Sequence, residues 1–138
     1  MTTALVWPDT VEALFELLDG TEHAGHPIKL IEEEPPPIPD QAELGADQPV
    51  VVVNLDDSAI GEIDRVDKFR LEVHAHGRAL ARTVAESITA LVCVEGGWET
   101  PSALIDLAEH RTGPAVVPHP SQNVRKVAVT FWLTTRPL

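Results

Sequence analysis

Two stretches of strict period-two alternation constrain this chain more than anything else in it. In the segment from about 66 to 76, Phe69, Leu71, Val73 and Ala75 fall on one side and Lys68, Arg70, Glu72, His74 and His76 on the other. In "VRKVAVTFWLTTR", Val127, Val129, Phe131 and Leu133 oppose Lys126, Thr130 and Thr134. Alternation of this kind belongs to β-strands with one buried and one polar face. A third run, "PVVVVNL" at 49–55, is continuous in β-branched residues and suits a strand covered on both faces. A sheet is required, and apolar elements must lie on its inner side.

Two segments of helical period supply them. In "PDTVEALFELLDG", residues 8–20, Asp9 and Glu12 make a capping-box-like start, and Val11, Leu14, Phe15 and Leu18 form one stripe. Gly20 stands where a left-handed terminating residue is wanted. After Gly77, "RALARTVAESITALVCV" places Leu80, Val84, Ile88 and Leu91 at helical spacing, flanked by Ala81, Ala85 and Val92. Gly96 and Gly97 end that element.

Other segments read less sharply. "DDSAIGEID" predicts a turn between the strand at 49–55 and the one from about 66 to 76. Residues 100–113 admit a helix, with Thr100-Pro101 as a start and Gly113 as a stop, and also a strand, through Ala103, Ile105 and Leu107. Strand is the better assignment because the last strand needs a neighbour, with "GPAVVPHPSQN" as a wide hairpin loop. Residues 21–48 read as a long, proline-rich, acidic surface excursion. "HPIKLIEEE" within it allows a short strand, while "PPPIP" removes backbone donors and excludes a central one.

With 138 residues, 43% hydrophobic and only 4% aromatic, the chain is sized for one domain whose core is mainly Val, Leu, Ile and Ala. The expected fold class is α+β: a single domain, residues 1–138, with about four mostly antiparallel strands and two helices packed on one face. The other face of the sheet is polar and carries Trp132. Two roles for it stay open: a partner surface, or a surface half hidden by the proline-rich excursion.

The net charge of −12 is uneven. Residues 1–64 carry fifteen acidic side chains against Lys29 alone, giving −14, whereas residues 65–138 carry seven against nine basic ones, giving +2. Such a surface argues against tight nucleic-acid binding. One cysteine, Cys93, and no leader-like N-terminal segment lead to the expectation of a reducing, intracellular compartment. No apolar run reaches the roughly 20 residues of a membrane-spanning helix.

Catalytic chemistry finds no team. Cys93 falls at the apolar end of the second helix, where an inert thiol is expected. Nucleophile-elbow, phosphate-loop and zinc-protease motifs are absent. His74 and His76, joined by His110 or His119, are the candidates for a histidine metal site, but without a Glu or Cys at ligand spacing they read as the wet side of a strand. "EHAGH" holds His23 and His26 in a loop. Glu32, Glu33 and Glu34 read as a solvated acidic tract. No catalytic, cofactor or metal residue is assigned.

The order of parts, with an acidic capped helix, a proline-rich excursion, "PVVVVNLDDSAIGEIDRVDKFRLEVHAHGRALARTVAESITALV", a loop, "VVPHPSQNVRKVAVTFWLTTR" and a late Arg136, resembles the tail-terminator proteins of long-tailed phages, notably those infecting actinobacteria. The likeness covers roughly 49–138 and lies in element order and loop character. It implies a non-enzymatic virion protein, assembled in the host cytoplasm. It also implies a homo-hexameric ring on the head-proximal end of the tail tube, in contact with the tube protein and the head-tail connector, through which genomic DNA passes without specific binding. Candidate contact residues are Arg65 and Arg125 beside the two strong strands, Arg70 and Trp132 on the polar face, and Arg136. The alternatives are another head-tail connector component or a monomeric adaptor docking through its prolines, and, further off, a histidine metalloenzyme.

Overall fold

The computed structural model describes residues 6–36, 43–119, 121 and 123–138. Along the chain run helix α1 (Thr10–Leu18), a minimal hairpin of β1 (Glu22–His23) and β2 (His26–Pro27), then β3 (Lys29–Ile31), β4 (Val50–Ile60) and β5 (Arg65–His76). Helix α2 (Arg78–Val92) follows, then a small hairpin of β6 (Trp98–Thr100) and β7 (Ala103–Ile105), and the long strands β8 (Leu107–Val117) and β9 (Val124–Thr135). The main sheet has the order β3-β4-β5-β9-β8 and is antiparallel except where β3 lies parallel to β4. The fold is α+β as expected, and the count of about four strands is corrected to five.

The fifth strand explains the long excursion. Parallel neighbours cannot be joined by a tight turn and need a crossover of about a dozen residues or more. Residues 32–49 are that crossover, leaving β3 and returning so that Lys29, Leu30 and Ile31 pair with Val50, Val51 and Val52. The excursion therefore does not begin at 21. Ile28 and Leu30 are core residues, and Asp19 accepts from the Leu30 amide at 2.9 Å, tying β3 to the end of α1. Residues 37–42, which include part of "PPPIP", lie outside the described residues.

Two predicted breaks are strands instead. "DDSAIGEID" does not turn the chain at its start: β4 absorbs a bulge between Leu55 and Asp57, continues to Ile60, and turns only at Gly61–Asp64. Gly113 does not stop an element either. Strand β8 runs through Gly113 and Pro114 with register shifts on both sides of Thr112. Its φ of +90° and a backbone so close that a Cβ would collide with the Ala128 carbonyl oxygen explain why glycine stands there. Residues 100–113 hold no helix: a turn at Pro101-Ser102 separates β6 from β7, which pair with each other, and from Leu107 on the segment is the neighbour that β9 needs.

The core lies on one side of the sheet. Val51 and Val53, Phe69, Leu71, Val73 and Ala75, and Val127, Val129, Phe131 and Leu133 meet Leu14 and Leu18 of α1 and Val84, Ile88 and Val92 of α2. The Asp9 carboxylate accepts from the Glu12 amide at 3.1 Å and caps α1. On the same side, Asp67 is almost fully buried and accepts from Thr10 Oγ1 at 2.5 Å, Ser58 Oγ at 2.6 Å and Arg65 at 3.0 Å, which locks α1 onto the start of β5.

Candidate metal centre and contact surface

The outer face of the sheet carries the other set of alternating residues and divides into two halves. In the first, the register sets His74 of β5 between Val50 of β4 and Lys126 of β9, and Glu72 between Val52 and Ala128. Alternation alone makes this a wet face. Instead His74 is 0% exposed and Glu72 only 9%. The crossover folds down over them, and Gly45 lies so close that a Cβ there would stand 2.5 Å from the His74 carbonyl oxygen. From the other side the His119 ring meets His74 edge-on, with centroids 5.6 Å apart and planes at 81°. The wet-face reading of the two histidines is thereby corrected: only His76, at the end of the strand, is exposed.

The buried polar groups under this cover are unequally satisfied. Glu72 accepts from Lys126 Nζ at 2.5 Å and Asn54 Nδ2 at 3.1 Å, with Arg70 Nε 3.5 Å away. Neither ring nitrogen of His74 has a hydrogen-bond partner. Burial pulls its pKa below the ordinary histidine range, with Glu34 and Glu72 opposing that pull and Lys126 and His119 adding to it. At neutral pH His74 is a neutral imidazole with an unused lone pair.

Glu34 arrives from the crossover, and it, His74 and His119 each bring a ligand-type atom within 4.8 Å of the others. His110 is elsewhere, with Nε2 2.8 Å from the Gly113 carbonyl oxygen. Of the four histidines the sequence offered, the fold brings together His74 and His119, and the third group is a glutamate from the tract read as merely solvated. Only the parallel placement of β3, which sends the crossover back across the face, could have revealed that partner.

The second half of the outer face is open. Lys68 Nζ lies 4.6 Å from the Trp132 ring centroid and the Arg111 guanidinium 4.0 Å, so the indole is sandwiched between two cations. Arg70 is half-exposed beside them, and Thr112 and Thr130 hydroxyls meet at 2.5 Å across β8 and β9.

No family model and no curated protein matches the chain. The remaining candidate contact residues differ sharply in availability. Arg65 is internal: it donates to Pro8 O at 2.6 Å and to Asp67, and lies over the Trp7 ring. Reversing its charge breaks the protomer before it tests any contact. Arg125 is half-buried and donates to Ser121 O at 2.9 Å, whereas Arg136 is exposed and pairs with Asp106 at 3.0 Å. Burial pushes the Cys93 thiol up to about 11, so it is protonated and unreactive at neutral pH. Among the described residues no helix is long and apolar enough to cross a membrane.

Proposed function

We propose that the chain is a structural assembly protein of the tail-terminator kind. It closes into a hexameric ring on the head-proximal end of a phage tail tube, stops polymerisation and offers the surface to which the connector joins. The observation that carries this reading is that the sheet has two bare and unlike edges. Strand β3 covers only Val50–Val52 of β4, so the edge from Asn54 to Ile60 has no outer neighbour among the described residues. At the opposite side, β8 has none either. Leu55 and Ile60 are exposed at the first edge and Leu107 and Val116 at the second.

Unpaired strand edges with apolar side chains are templates for pairing with another chain. Because these two differ, a second copy joins them head to tail, and a head-to-tail contact that closes makes a ring. The register shifts in β8 from Arg111 to Pro114 blunt half of its edge and leave Leu107–His110 as the part suited to pairing. Trp132 with its two cations lies beside that part and adds an anchor of the type common at interface centres. The acidic first half of the chain suits a channel through which DNA slides without sticking. A free adaptor loop draws less support, since Gly45 presses the second arm of the crossover onto the sheet.

Sedimentation velocity over a wide concentration range tests this. The wild-type chain is expected to form a closed hexamer, and Ile60→Lys and Leu107→Lys are each expected to return it to monomer with an unchanged melting temperature. A wild type that stays monomeric at its highest soluble concentration, or charged variants that assemble normally, would overturn the reading.

A further inference from the structure

We infer that Glu34, His74 and His119 form a binding site for one divalent transition-metal ion of the zinc type, which staples the crossover and the loop before β9 to the middle of the sheet. Two independent observations carry it. The three ligand atoms already lie within 4.8 Å of one another, coming from three separate segments of the chain. His74 is fully buried, yet both of its ring nitrogens lack a partner, and one of them faces that cluster. A buried polar group left unpaired is destabilising, so native proteins seldom keep one without a use.

The donor set selects the class of ion. Two imidazoles and one carboxylate suit zinc and its borderline neighbours, whereas magnesium and calcium prefer all-oxygen cages. Bonds of roughly 2.0–2.1 Å put tetrahedral ligands about 3.3 Å apart, so the cluster has to contract by no more than about 1.5 Å. The contraction falls on the connections, because only His74 stands in a central strand; Glu34 and His119 lie outside the strand ladders, where no sheet hydrogen bonds fix their backbone. Lys126 is the competing cation, 4.0 Å from Glu34, but its closer bond is the one to Glu72 at 2.5 Å, which leaves Glu34 free to turn to a metal. His119 Nδ1 accepts from the Ser121 amide at 3.1 Å, and ligation through Nε2, which moves the ring proton to Nδ1, gives up that one contact. Three protein ligands leave a fourth position for water or for a carboxylate from elsewhere.

The site is independent of ring assembly, and its test does not depend on oligomeric state. Chelator-stripped protein is titrated with zinc chloride by calorimetry, and with cobalt chloride while the d–d absorption is followed. One ion per chain is expected, with the absorption of tetrahedral cobalt, and both Glu34→Gln and His119→Ala should weaken binding at least tenfold. Those two residues lie outside the core, so their variants fold whether or not His74 tolerates replacement. His26→Ala, in the β1–β2 hairpin, should bind as wild type does. Absence of stoichiometric binding, or equal affinity in wild type, Glu34→Gln and His119→Ala, would overturn the proposal and leave His74 an unpaired buried histidine.

Discussion

The two halves of the outer sheet face are built from the same strands and the same alternation, yet one is sealed and the other is bare. Under the crossover, Glu72, His74 and Lys126 form a polar layer inside the protomer. A few residues along the same strands, Lys68, Arg70 and Trp132 face outward with no segment laid over them among the described residues: Lys68 and Arg111 flank the Trp132 ring, and Lys68 and Arg70 reach only Asp57 and Glu72 at 3.9 and 3.5 Å. The difference teaches that period-two patterning fixes the direction of a side chain and not its environment. That is decided by what the topology lays over it, here a crossover required by one parallel strand pair.

The comparison breaks most severely at Gly45. Gly45→Val forces a side chain into the His74 backbone at a φ of +88°, and is expected to cost about 3 kcal/mol or more in urea unfolding by lifting the crossover. Next is Glu72→Ala, which leaves Lys126 in a largely enclosed position with only the more distant Glu34, 4.0 Å away, as its acidic neighbour. A loss of about 2 kcal/mol is expected, below the full penalty for a deeply buried pair because Lys126 keeps some contact with water. The matching change on the bare half, Arg70→Ala, should stay within about 0.5 kcal/mol.

A second buried histidine sharpens the contrast. His23 has both ring nitrogens satisfied, at 2.8 Å from Thr21 Oγ1 and 2.6 Å from Ser87 Oγ. Burial lowers its pKa from 6.5, so below about 6.5 the unfolded chain takes up a proton that the folded chain resists. Stability is therefore fully present above that pH and falls as the solution is acidified. Melting temperatures between pH 7.5 and 5.5 should decline, and His23→Gln should flatten part of the decline. A modest effect on folding, under about 1 kcal/mol, is expected from Trp132→Ala, since the half-buried ring lies between two cations on the open face. The same change should reduce self-association in sedimentation.

Much of the inner layer was legible in the sequence. The apolar stripes of both helices and the alternation of β5 and β9 depend on local period, and the core residues they name are the ones that meet. Where the reading failed, a distant segment had intervened. "HPIKLIEEE" allowed a short strand, but three residues carry no sign that Lys29–Ile31 joins the main sheet parallel to β4, so the fifth strand, the crossover it requires and the burial of His74 were missed together. Gly113 and the stretch after Leu55 look like breaks because glycine and acidic residues favour turns, yet a bulge lets a strand carry both. Arg65 read as a contact residue beside a strong strand, and only the buried Asp67 next to it shows why it is internal.

The central claim is that the sealed half of the face belongs to the protomer while the bare edges belong to its neighbours. Hydrogen exchange measured at low and high protein concentration tests it most directly. The account predicts that amides in Leu55–Ile60 and Leu107–His110 become protected as concentration rises, while those of residues 43–48 and of the β5 end around His74 exchange at the same rate throughout. Protection that leaves both edges unchanged, or that rises over the crossover instead, would contradict it.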